Sequence, residues 1–134
     1  MTAKQSGLFA NARAFSSFST PDLDQARDFY ANKLGLDVRQ TPEGIELHLL
    51  GGTTVFVYPS TDYTAPEHTV LNFPVDDIDE AIDALAEQGI RMEQYDWPEI
   101  KTDRKGIFRG GHGPKAIAWF KDPAGHILSV LQEK

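Results

Sequence analysis

No cysteine occurs anywhere in this 134-residue chain. Its absence removes disulfides, thiolate nucleophiles and every zinc or iron–sulfur centre built on sulfur. It also fits a reducing compartment, so a cytoplasmic protein is expected. Long apolar runs are missing too. No stretch approaches the roughly 18–20 residues that cross a bilayer, and Met1 to Arg13 has no continuous apolar core of the kind a secretory leader carries. A membrane partner is therefore not expected. Cations are outnumbered, with 13 Lys and Arg against 20 Asp and Glu and a formal net charge of −7. Phosphate backbones call for a basic face, so nucleic acid is not expected as a partner either. Acidity keeps a protein soluble and mildly favours a cationic ligand. Dinucleotide and phosphate-loop glycine motifs are absent, as are H-x-H and H-E-x-x-H spacings, and no serine sits in a nucleophile elbow. Gly110-Gly111-His112-Gly113 has neither the spacing of a phosphate loop nor a helical pattern after it.

What is present is a repeat. F-S-T-P-D-L-D-Q-A from Phe18 returns as F-P-V-D-D-I-D-E-A from Phe73, at an offset of 55 residues. Phe18 matches Phe73, Asp22 matches Asp77, Leu23 matches Ile78, Asp24 matches Asp79 and Ala26 matches Ala81. After one residue of slippage, Leu34-Gly35-Leu36 matches Gln88-Gly89-Ile90. Two copies are too few for a solenoid, so the pattern predicts one pseudo-twofold domain over 1–134, with modules at about 13–60 and 68–133. Hydrophobic content of 40% and charged content of 25% suit such a globular domain.

Hydrophobic periodicity predicts the elements. Arg13 to Thr20 alternates as a strand. Asp22 with Gln25, and Asp77 with Glu80, form capping boxes that open two helices. Leu23, Ala26, Phe29, Tyr30 and Leu34 recur at helical spacing, as do Ile78, Ala81, Ile82 and Leu85. Gly35 and Gly89 stop the two helices. Strands are expected near Leu36–Arg39, Ile45–Leu50, Thr53–Tyr58, His68–Val75, Ile90–Tyr95, Ala116–Phe120 and His126–Leu131, with a short one at Gly106–Arg109 inside a 96–114 loop. Each half reads β-α-β-β-β, an α+β fold of two tandem modules curving a partly open mixed sheet around a cleft.

Those paired modules, the D-L-D-Q-A-R-D-F-Y-A-N-K-L-G-L stretch (Asp22 to Leu36) and the D-P-A-G-H turn (Asp122 to His126) resemble the vicinal oxygen chelate superfamily. That superfamily includes glyoxalase I, extradiol dioxygenases, fosfomycin-resistance enzymes and bleomycin-binding resistance proteins. The resemblance spans about residues 13–133 and implies a homodimer. In the family's enzymes a divalent metal polarises two adjacent substrate oxygens. Its ligands are one His, Glu or Gln from each of four strands. By the family's spacing these positions fall at Phe15, seven residues before Asp22; Val70, seven before Asp77; Ser129, seven after Asp122; and Phe56 or Val55. None of these side chains suits the metal, so no metal and no cofactor are expected.

Emptied of ligands, such a cleft becomes apolar with sparse polar groups, the usual form of a small-molecule site. The candidate ligand-binding residues are Phe15, Ser17, Phe56, Val70, Asn72, Trp97 and Ser129. Tyr95 and Trp119 are further candidates, and the 96–114 loop is placed to lid the cleft and offer Trp97 to a ligand. No catalytic residue can be named. The resemblance thus implies a metal-independent small-molecule binder sequestering an aromatic or cationic compound. Two alternatives stay open. One is a lyase, isomerase or dioxygenase with a displaced metal on His68, His48 or Glu46. The other is a structural or regulatory domain whose cleft is filled by side chains.

Overall fold

The computed structural model describes residues 7–134, so the expectations for residues 1–6 lie outside the described residues. Along the chain come β1 (Ser16–Thr20), α1 (Leu23–Asp28) continued by a π-helical turn (Phe29–Lys33), β2 (Asp37–Gln40), β3 (Ile45–His48) and β4 (Thr54–Pro59). The second module supplies β5 (Thr69–Pro74), α2 (Ile78–Glu87), β6 (Ile107–Phe108), β7 (Ala116–Lys121) and β8 (Ile127–Gln132). The architecture is α+β. Two four-stranded mixed sheets run β1-β4-β3-β2 and β5-β8-β7-β6. Each has one parallel pair, β1 with β4 or β5 with β8, and is antiparallel elsewhere.

The caps form as the sequence predicts. Asp22 accepts from the Gln25 backbone N–H at 3.1 Å, and Asp77 from that of Glu80 at 3.2 Å. Each satisfies an orphan donor of a helix's first turn. Gly35 and Gly89 close the helices at φ 73° and 79°, a left-handed conformation that a side chain disfavours. Between cap and stop the two helices differ by one residue, the slippage noted above. The π turn absorbs it: Leu34 N–H donates to Phe29 O, five residues back. Likewise Leu36 N–H reaches Tyr30 O, whereas Ile90 N–H reaches Leu85 O, one residue less. The extra residue is thus taken up as a wider turn, and the helix is not broken.

One expected strand is not formed. Ile90–Tyr95 makes an isolated bridge, Met92 to Phe120, and the hydrogen bond from Glu93 N–H to Trp119 O at 2.7 Å. The third neighbour in the sheet is instead the two-residue β6, which takes the edge beside β7. The chain from 95 to 102 leaves that edge as a small hairpin, with Trp97 N–H on Ile100 O and Thr102 N–H on Tyr95 O. Once Tyr95 turns into this hairpin, its backbone pairs with Thr102 and is lost to the sheet.

Alternation decides which face is buried. Phe18, Ile45, Leu47, Val55 and Val57 of the first sheet join Phe120, Leu128 and Val130 of the second in one core with Ala26, Phe29, Tyr30, Ile78 and Ile82 of the helices. Polar groups cross between the halves inside that core. Tyr30 O–H donates to Asp122 Oδ2 at 2.6 Å, and His126 Nδ1 lies 2.7 Å from the same oxygen. His126 is wholly buried, with its ring 4.3 Å from that of Phe18 and 5.4 Å from that of Tyr63 on the connector. The turn residue of module two is therefore a core residue of module one.

Candidate functional site

With one face of each sheet turned to the helices, the opposite faces carry most of the residues expected at the cleft. On the first sheet, Phe56 pairs with Ser17 on β1 and with Glu46 on β3, and Glu46 pairs with Arg39 on β2. The neighbouring row holds Thr54, His48 and Asp37. Phe15, just before β1, keeps 64% of its surface exposed. Together Phe15, Thr41, Glu43, Glu46, Thr54 and Phe56 line a recess of about 430 Å³. The Phe56 ring stacks on Tyr58 at 5.9 Å. Glu46 Oε1 lies 3.0 Å from His48 Nε2, and Arg39 is tied to Asp37 at 2.9 Å. That hydrogen bond from Arg39 holds the Asp37 carboxyl below its ordinary range. What remains at the recess is aromatic surface beside two carboxylates.

On the second sheet, Asn72 pairs with Ser129 and Ser129 with Trp119. Ser129 is buried and its hydroxyl donates to Asn72 Oδ1 at 2.5 Å. Val70 occupies a register shift between Thr69 and Leu71, where β5 has one residue more than β8. It is thus the extra residue of a bulge, without a direct partner. Beside this row the 95–102 hairpin adds aromatics. Tyr95 meets Trp119 edge-on at 5.5 Å and stacks on Trp97 at 4.5 Å. Trp97 remains 52% exposed. Thr102 Oγ1 anchors the hairpin, accepting from Tyr95 N–H at 2.8 Å and donating to Tyr95 O at 3.2 Å.

The expected residues therefore separate: Phe15, Ser17 and Phe56 lie on one open face and Asn72 and Ser129 on the other, while Val70, at the bulge, packs against the core. Trp97 stands beside the second group through Tyr95 and Trp119. The sequence does not single out Thr41, Glu43 or Thr54. The two turn residues come from the β2–β3 connection, and only strand pairing brings them beside Phe15. Glu46 carries the one local signal, its alternation with Ile45 and Leu47.

The family's metal positions do not fit an ion. Phe15, Phe56 and Val70 are hydrocarbon, and Ser129 offers only a neutral hydroxyl, a poor ligand with no charged donor beside it. Among the described residues no three His, Cys, Asp or Glu come together. His48 pairs with Glu46, His68 is exposed just before β5, His112 is exposed on its loop, and His126 is buried.

A family model matches residues 15–130, by its description the Glyoxalase/Bleomycin resistance protein/Dioxygenase superfamily. The chain belongs to this superfamily. No curated protein matches the chain. Solved structures with this fold include a glyoxalase family protein from Enterococcus faecalis, 24% identical, covering 92% of this chain and 99% of that one with a TM-score of 0.63. An antibiotic-binding protein from a Streptomyces species is 21% identical over 92% and 98% of the two chains, with a TM-score of 0.60. A fosfomycin resistance protein from Listeria monocytogenes is 14% identical over 97% and 95%, with a TM-score of 0.65. At these identities the likeness is one of fold, so what this glyoxalase-superfamily member does must come from its own residues.

Proposed function

We propose that this protein is a metal-independent small-molecule binder that sequesters an aromatic or cationic compound on the open faces of its sheets. The observation that supports this most is the recess of Phe15, Phe56, Thr54, Glu43 and Glu46. Aromatic faces attract flat rings and cations, and carboxylates at the same recess add charge complementarity. Directional polar groups beside them include Ser17, Thr41 and Thr54 on the first face and the Ser129–Asn72 pair on the second. A cavity of about 430 Å³ lies within the ordinary range for small ligands. The antibiotic-binding relative offers a precedent for the fold in this role. A homodimer that brings the open faces of two copies together, in the cytoplasm, completes the proposal.

Native mass spectrometry of protein purified without a metal-affinity tag or chelator tests it. The expected result is a metal-free dimer, and an organic adduct would supply the ligand's mass. One tightly held transition metal per chain would overturn the reading in favour of a displaced metal site. For any ligand so found, Phe15→Ala and Trp97→Ala should each weaken binding by about 1–2 kcal/mol, the value of one aromatic contact with its buried area. Unchanged affinity in both would remove this site assignment.

A further inference from the structure

The second sheet has a groove on its other side, facing the helices. Phe73, Phe120 and Val130 form its floor, Ala84 and Leu85 of α2 one wall, and Lys33, at the end of the π turn, its lip. Its volume is about 270 Å³. The repeat explains why this space is there. Strand pairing makes Phe18 and Val57 the counterparts of Phe73 and Val130, and Leu47 the counterpart of Phe120. In the first module the same space is filled. At the offset of 55 residues Phe29 corresponds to Ala84 and Tyr30 to Leu85. Phe29 and Tyr30 are buried, with ring centroids 5.1 Å apart in an edge-to-face pair. The second module has kept the walls and lost the two rings.

We propose that this groove is a second binding site, for a small aromatic carboxylate, separate from the open faces and independent of the reading given to them. Three properties of the groove set the ligand class. A groove lined almost wholly by hydrocarbon takes up flat hydrocarbon rings, because apolar surface of both is removed from water. Phe73, only partly buried, offers a ring surface for the same edge-to-face packing that Phe29 gives Tyr30. Among the described residues Lys33 is the only charged one lining the groove, and it has no ion-pair partner there. Its ammonium is thus free to take a carboxylate by a charge-assisted hydrogen bond. The volume lies just under the range of about 300–1,000 Å³ usual for drug-sized ligands, which limits the occupant to one or two rings.

Methyl-labelled protein titrated with phenylacetate tests the proposal by NMR. Saturable shifts are expected at the methyls of Ala84, Leu85 and Val130. Ala84→Phe restores a ring that the first module has and should abolish those shifts in a folded protein. Leu85→Phe serves the same purpose should Ala84→Phe not fold. Lys33→Glu should weaken phenylacetate about tenfold and turn the preference toward phenethylamine, the loss of one charge-assisted contact. The proposal is overturned by shifts confined to the open faces, or by no saturable shift at all. Undiminished binding in the ring-filled variants or in Lys33→Glu would overturn it as well. So would methyl shifts that follow protein concentration and not phenylacetate, because a second copy would then cover the groove.

Discussion

Asp122 places four hydrogen bonds on one buried carboxylate. Oδ1 accepts from the backbone N–H groups of Ala124 and His126, and Oδ2 from Tyr30 O–H and His126 Nδ1. A buried charge is tolerable only when its lone pairs are satisfied in this way. Tyr30 answers to the same environment. Burial above all, then the Asp122 charge and its hydrogen bond, raise the Tyr30 hydroxyl far above its ordinary value. The sign of the pH effect follows. A tyrosine whose folded pKa is raised keeps its proton in the folded state while the unfolded chain loses it near pH ~10. Stability is whole below that pH and falls as pH rises past it. Tyr30→Phe should therefore cost about 1–2 kcal/mol at neutral pH, the price of an unmade charged hydrogen bond. It should also flatten the loss of stability above pH ~10. Urea unfolding of both proteins on either side of that pH checks the two effects. An equally steep alkaline loss in the variant would remove Tyr30 from the account.

At the scale of elements, the duplicated caps are the most transferable feature. Asp22→Ala and Asp77→Ala should each lower stability by about 1 kcal/mol, and the double variant by close to the sum, since the two caps share no partner. Thermal melts of the three variants measure this, and a silent Asp77→Ala would mean that the cap carries nothing. Capping boxes, helix stops and strand alternation were legible because each rests on residues a few positions apart. The repeat was legible for the same reason, copied once. What escaped depends on partners distant in the chain. Ile90–Tyr95 has strand-like residues, yet Thr102 draws its end into a hairpin. The bulge at Val70 exists only relative to β8. Phe15 and Phe56 were singled out through the family's spacing, whereas Glu43 joins them at the recess only through strand pairing. The one-residue slip between the helices was visible, but its resolution as a π turn required the hydrogen bonds of Leu34 and Leu36.

For the molecule as a whole, the crossing of Tyr30 to Asp122 and the shared core argue that neither half is stable alone. Both tryptophans, Trp97 and Trp119, lie in the second module, so their fluorescence reports one half while circular dichroism reports both. Denaturant curves from the two probes should superimpose, as for a two-state domain. Separated midpoints would show halves that unfold independently. The π turn gives the two copies unequal duties. Tyr30 is committed to joining the halves through Asp122, with Phe29 packed against its ring, and substitution there costs folding stability. Their counterparts Ala84 and Leu85 carry no such obligation, since Ala84 is exposed and Leu85 only half-buried. One helix is thus a fixed joint and the other a surface free of that duty, and change at residues 84 and 85 can reshape the groove they line while the joint stays intact.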